Sequence, residues 1–177
     1  MKTSMIKNWA IVYLVILSPF LGICQSDLAK GSKYASVKFG SGRHSTFSYY
    51  QGDLGWMYAD KLGLRLAISF ENANLGSTEM SLGRINFDNS FTMFNVNDRL
   101  HGSAILGVYL GYESIASSRD PLSERNLVFG VNGGIELNYF LTRKFSLRGE
   151  FLQYYVQNSS VSPLFYTGTL GISYQFN

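Results

Sequence analysis

The sequence predicts an all-β chain: an eight-stranded antiparallel up-and-down transmembrane β-barrel of the outer-membrane type, preceded by a signal peptide. Three observations predict it. Segments of about a dozen residues alternate strictly between apolar and polar positions, the length a tilted strand needs to cross a bilayer. Their number is even, and the connections between them alternate between short turns and longer loops. Beyond the first residues there is no long apolar run, so the chain cannot span a membrane as helices.

The clearest segment is 164–176. Leu164, Tyr166, Gly168, Leu170, Ile172, Tyr174 and Phe176 fall on one face, and Thr167, Thr169, Gly171, Ser173 and Gln175 on the other. Successive side chains leave opposite sides of the pleat, so this pattern gives one apolar and one polar surface. Tyr166 near one end and Tyr174 and Phe176 near the other stand where two membrane interfaces would lie. An apolar strand with a near-terminal Phe resembles the C-terminal assembly signal of bacterial outer-membrane barrels.

The 177 residues suffice for one domain, read as 1–24 signal peptide and 25–177 barrel. Lys2 and Lys7 supply the positive region of the signal, Trp9 to Leu17 its apolar core, and Ser18, Pro19 and Gly22 the break before cleavage. Cys24 is the only cysteine. Ile23 occupies the place where lipoprotein processing wants a small residue, so ordinary cleavage leaving Gln25 first is expected. The mature chain would then have no thiol and no disulfide. Loss of Lys2 and Lys7 takes the formal charge from +3 to +1, too near neutral for a nucleic-acid footprint.

In chain order, Tyr34–Phe39 alternates Ala35, Val37 and Phe39 with Ser36 and Lys38. Phe47–Tyr58 is aromatic and extended, with a bulge expected at Gly52 or Gly55. Leu62–Glu71 alternates cleanly. Thr78–Asn95 slips in phase between Leu82 and Ile85, leaving its register open. Ser103–Glu113, Leu127–Tyr139 and Phe145–Val156 complete the set before the final strand. Turns are expected at about 59–61, 96–101 and 141–144, and loops at about 40–45, 72–77, 114–126 and 157–163.

With the apolar faces on lipid, the opposite positions fill the lumen. Arg65, Glu71, Glu113, Glu136, Arg148 and Glu150 are then expected as a structural cluster of paired lumen charges. An eight-stranded barrel is just wide enough for side chains to fill it. A soluble lipocalin-like barrel would alternate similarly but would turn its apolar faces inward and leave Arg65, Glu136 and Arg148 outside. Arg119, Asp120, Glu124 and Arg125 are candidate outer-loop contacts, with offsetting charges.

No catalytic, cofactor-binding or metal-binding residues are assigned. His44-Ser45 lies in the first loop without an acid specified nearby, and His101 lies in a turn near the other rim. No pair of potential metal ligands has a recognisable spacing. The glycine clusters at 40–42 and 130–134 do not sit between a strand and a helix, as a phosphate loop would.

The second half carries Gly107, Gly111-Tyr112-Glu113, Asn126-Leu127-Val128-Phe129-Gly130, and Gly133-Gly134 with Glu136. Tyr139-Phe140-Leu141-Thr142-Arg143-Lys144-Phe145 and the closing Gly171-Ile172-Ser173-Tyr174-Gln175-Phe176-Asn177 follow. Together these resemble the TraO family of conjugal transfer proteins from Bacteroidota conjugative transposons. The resemblance covers roughly residues 100–177, and the first half matches only in strand order and size. It implies a non-enzymatic outer-membrane component of the apparatus that passes DNA between cells. Its partners would be outer-membrane lipid and other apparatus proteins, with no direct nucleic-acid contact and no small-molecule substrate. The competing expectation is a generic small barrel for envelope integrity or surface adhesion.

Overall fold

The computed structural model describes residues 30–42, 48–75, 78–96, 99–117, 124–159 and 163–176. The expected signal peptide, Cys24, the loop holding His44 and the loop residues Arg119 and Asp120 lie outside them. Eight strands follow in order: β1 (Lys33–Ser41), β2 (Tyr49–Ala59), β3 (Leu62–Leu75), β4 (Thr78–Val96), β5 (Leu100–Ser117), β6 (Glu124–Phe140), β7 (Phe145–Gln157) and β8 (Leu164–Phe176). Each pairs antiparallel with its sequence neighbours, and β1 pairs with β8 to close the barrel. Closure removes every sheet edge along the common length of the strands, so no ladder is left open to hydrocarbon.

The side of each strand that faces out is apolar. Val37 is 72% exposed and Leu170 65%, with Leu54, Leu66, Phe87, Val108, Val131 and Ile135 also exposed around the wall. The interior positions between them are Ser36, Lys38, Asp53, Arg65, Asn86, Asp88, Glu136 and Arg148, all buried. This is the reverse of a soluble barrel, and it rejects the lipocalin-like arrangement. A continuous exposed apolar wall is stable only against hydrocarbon. Aromatics mark its two rims. Trp56 and Tyr58 pack edge-on, and Phe145, Tyr174 and Phe176 form a second group, all at the end of the short turns. Tyr50, Phe70, Tyr112 and Tyr155 are exposed toward the loop end.

At the turn end, 60–61, 97–99 and 141–144 join the strands. The last is tied by Thr142, whose Oγ1 accepts hydrogen bonds from the N–H groups of Lys144 (3.2 Å) and Phe145 (3.0 Å). Several expected loops are shorter than the hydropathy pattern suggested. β3 runs on to Leu75, β5 to Ser117, and β6 begins at Glu124, so strand covers 114–117 and 124–126 of the expected loop 114–126. In these extensions the hydropathy alternation is lost, with the outward Asn72 polar and the inward Ala73 apolar, while the ladder continues.

Two expectations about register are corrected. Gly52 and Gly55 pair in unbroken register, and the irregularity in β2 falls between Met57 and Ala59. In β4 the pairing with β3 continues without a break from Thr78 to Phe91, and the shift lies between Thr92 and Phe94. The apparent slip at Leu82 has a different cause: Met80 and Leu82 point into the lumen, buried there with Arg84 and Asn86. An apolar interior at the loop end mimics a change of face.

Glycine makes the tight interior possible. A Cβ at Gly134 would collide with the carbonyl oxygen of Phe151 on β7 and stand 2.9 Å from the Leu152 Cα, backbone positions that cannot give way.

Val37→Arg puts a charge near the middle of the lipid-facing wall. It is expected to lower stability in vesicles by about 2–4 kcal/mol. Denaturant unfolding followed by Trp56 fluorescence checks it, with the folded wild type identified by heat-modifiable gel mobility.

Candidate functional site

The candidate site is the lumen, and alternation builds it. Every inward slot between two lipid-facing residues delivers one side chain, and the register sets which chains meet. On β6 and β7, Glu136 and Glu150 are directly opposite partners. Like charges in that position repel, and three cations compensate them, Lys38 and Arg65 from other strands and Arg148 from β7 itself. Lys38 of β1 lies 2.6 Å from Glu150, 2.9 Å from Asp53 and 3.8 Å from Glu136. Arg65 of β3 donates from Nη1 to Glu150 and lies 3.5 Å from Glu136. Its Nε and Nη2 both donate to Asp88 Oδ2, at 2.9 and 2.7 Å. Arg148 lies 3.5 Å from Glu136 and 3.6 Å from Asp53, with its guanidinium 3.7 Å above the Tyr34 ring.

Neutral groups extend the network. Asn132 donates to Asp88 Oδ1 at 2.8 Å. Gln51 donates to Asp53 (3.3 Å) and Glu150 (3.4 Å) and accepts from the Tyr49 hydroxyl at 2.7 Å. These charges are almost wholly withdrawn from solvent, so each depends on its partners for the stabilisation that water would otherwise supply.

Toward the loop end the chemistry changes. The Arg84 guanidinium is sandwiched among Tyr154 (4.5 Å), Phe165 (4.8 Å) and Tyr49 (5.2 Å), a cation–π arrangement away from water. Tyr154 and Phe165 stack nearly parallel at 4.8 Å, and Tyr109 meets Tyr154 edge-on at 5.2 Å. Arg84 also approaches Glu71 at 3.5 Å. Leu82, Ile105, Val128 and Leu152 pack around the rings as the one apolar cluster of buried residues described.

The six lumen charges expected from the sequence are all buried inside, but they do not form one cluster. Arg65, Glu136, Arg148 and Glu150 share the central network. Glu71 belongs with Arg84 in the aromatic half, and Glu113 accepts from Ser159 Oγ at 3.0 Å near the loop end. Lys38, Asp53, Arg84, Asp88 and Asn132 are equally part of the lumen. Of the loop residues, Arg125 is exposed at the loop end. His101 is buried in the turn-end mouth with its ring 5.1 Å from Phe140.

The interior leaves little space. The cavity at the turn-end mouth, lined by Tyr34, His101, Ser103, Glu136 and Arg148 among others, has a volume of about 20 Å³, room for about one water. Among the described residues no group of three or more His, Cys, Asp and Glu side chains is placed to hold a metal ion.

The architecture is that of solved outer-membrane barrels. The chain is similar to the N-terminal β-barrel domain of OprF of Pseudomonas aeruginosa, with TM-score 0.63 and 17% identity over 83% of this chain and 98% of that one. It is similar also to a major outer membrane protein from Thermus thermophilus, with TM-score 0.66 and 14% identity over 82% and 99%. Ail, the attachment invasion locus protein of Yersinia pestis, aligns with TM-score 0.60 and 13% identity over 84% and 100%. No protein-family model and no curated protein matches the sequence.

Arg65→Met leaves Asp88 and Glu150 buried beside a lost cation. It is expected to cost about 3–5 kcal/mol, and Arg65→Met with Asp88→Leu to recover part of that loss. Denaturant midpoints of the vesicle-embedded proteins measure both.

Proposed function

We propose that this chain resides in the outer membrane and serves there as a structural, non-enzymatic component, acting through its rims and loops and not through its lumen. The filled interior carries this reading. A substrate or ion path needs continuous polar space, and here the central ion network and the Arg84–aromatic stack occupy the cross-section in succession. The apolar wall with aromatic rims supports a membrane location, and the common architecture of solved outer-membrane barrels supports that membrane being the outer one.

The finer reading is a component of a conjugative DNA transfer apparatus, working through contacts with other apparatus proteins. Its support is the resemblance of the second half to the TraO family. The Thr142-Arg143-Lys144 turn that carries part of this resemblance lies exposed at the turn end, where a partner could reach it. The alternative is a general barrel for envelope integrity or surface adhesion, which the fold supports equally.

In-frame deletion of the gene separates the two readings. A large fall in mating frequency, restored by a plasmid-borne copy, is expected for the transfer component. Unchanged transfer with the other transfer genes intact would leave the general envelope role. The filled lumen also predicts no steady single-channel conductance from the purified protein in planar bilayers, and a stable ohmic current would refute the structural reading.

A further inference from the structure

The two ends of the barrel differ in charge. At the turn end Lys30, Lys33, Arg99, Arg143 and Lys144 are exposed and Lys61 is half-buried, while Asp60 is the acidic side chain exposed there among the described residues. At the loop end the exposed described charges are Glu79 and Arg125, one of each sign. Among the described residues the exposed positive charge is therefore gathered mainly on one rim.

Lys33 differs from the rest of that rim in facing the wall. It is the first residue of β1, outward and exposed, and its direct cross-strand partners are Trp56 on β2 and Phe176 on β8. From this point an apolar groove of about 600 Å³ crosses the outer wall past Leu54, Leu64 and Phe87 and reaches Val108 on β5. Because strands tilt in a barrel, a path across them climbs from the rim toward the middle of the wall. The register confirms the climb: the path starts at the first residue of β1 and ends in the middle of β5. Four strand spacings make it roughly 19 Å long, comparable with one leaflet of hydrocarbon at about 15 Å.

We propose that the turn-end rim is a surface for anionic phospholipid, with the Lys33 groove as its lipid site. The lipid phosphate pairs with the Lys33 ammonium among the Trp56 and Phe176 rings, and an acyl chain lies along Leu54, Leu64 and Phe87. Charge complementarity selects an anionic headgroup over a zwitterionic one, since the surrounding basic side chains outnumber Asp60 and add a net positive field. The apolar groove selects a lipid over an acidic polypeptide. This inference rests on the membrane reading above and adds a lipid class and a place.

The test uses the mature protein reconstituted in vesicles of equal parts phosphatidylcholine and phosphatidylglycerol, extracted in mild detergent, with retained lipids counted by native mass spectrometry. Wild type is expected to retain phosphatidylglycerol several-fold over phosphatidylcholine. Lys33→Gln should bring that ratio toward one, while Lys33→Arg and the loop-end Arg125→Gln keep it. Equal retention of both lipids by wild type, or an unchanged ratio in Lys33→Gln, overturns the site and would leave the basic rim to an acidic partner. A protein that fails to insert into the vesicles and shows no heat-modifiable band overturns the membrane reading itself.

Discussion

Glu136 and Glu150 face each other across β6 and β7, and the centre of the barrel is organised around making that juxtaposition tolerable. The pair draws Lys38 from β1 and Arg65 from β3, two strands far away in sequence and on other walls of the barrel. Each cation in turn reaches a second carboxylate, Asp53 for Lys38 and Asp88 for Arg65. One repulsive contact thus ties β1, β2, β3, β4, β6 and β7 together through the interior. In a bilayer there is no hydrophobic gain from pressing the outer wall against lipid tails that are equally apolar. The wall makes the chain compatible with its solvent, and interior pairing together with the closed ladder fixes this barrel in one arrangement.

Such a network needs space, and the register supplies it with glycine. Gly171 is the β8 partner of Lys38, and a Cβ there would stand 2.5 Å from Lys38 Cγ. Gly107 is the β5 partner of Asp88, where a Cβ would run into the carboxylate. Gly111 is the partner of Arg84, with its hypothetical Cβ 2.9 Å from Arg84 Cγ. A long charged side chain opposite an empty slot can lie across the lumen, whereas two full side chains in those slots would overfill a barrel of this width. The inward glycines are thus the complement of the inward charges.

This explains how far the fold and the site were legible in the sequence. Leu62–Glu71 and Leu164–Phe176 declare their faces because their lipid side is apolar and their lumen side polar throughout. β4 does not, because its lumen side changes from Arg84, Asn86 and Asp88 to Met80 and Leu82 as it enters the aromatic half. Periodicity reports contrast between faces, and contrast vanishes where the lumen itself becomes apolar. Arg84 and Asp88 were hidden by that ambiguity. Lys38 was visible as a polar position alternating with Val37 and Phe39, yet its role depends on Glu150, 112 residues away. Long-range pairing is set by strand tilt and closure, which alternation within one strand does not encode. For the same reason the six charges assigned to one cluster divide between the central network, the Arg84 stack and the loop end.

A lumen closed twice by unlike chemistry restricts where this molecule can act. The central network alone could let water in, since ion pairs are hydrated readily once separated. The Arg84–Tyr154–Phe165 stack is apolar and buried, and its cation has a fixed counter-ion in Glu71 beside the ring faces. Ionic pairing links the strands at the centre, and aromatic packing fills the lumen toward the loop end. The side chains of both parts are buried. The polar exposed surfaces that remain are those at the two ends, and among the described residues their charges are not equivalent. The loop end carries strand extensions such as 72–75 and 114–117, and its exposed described charges, Glu79 and Arg125, are of opposite sign. The turn end is short, tied by compact turns and predominantly basic, which suits an extended anionic surface better than a single shaped ligand.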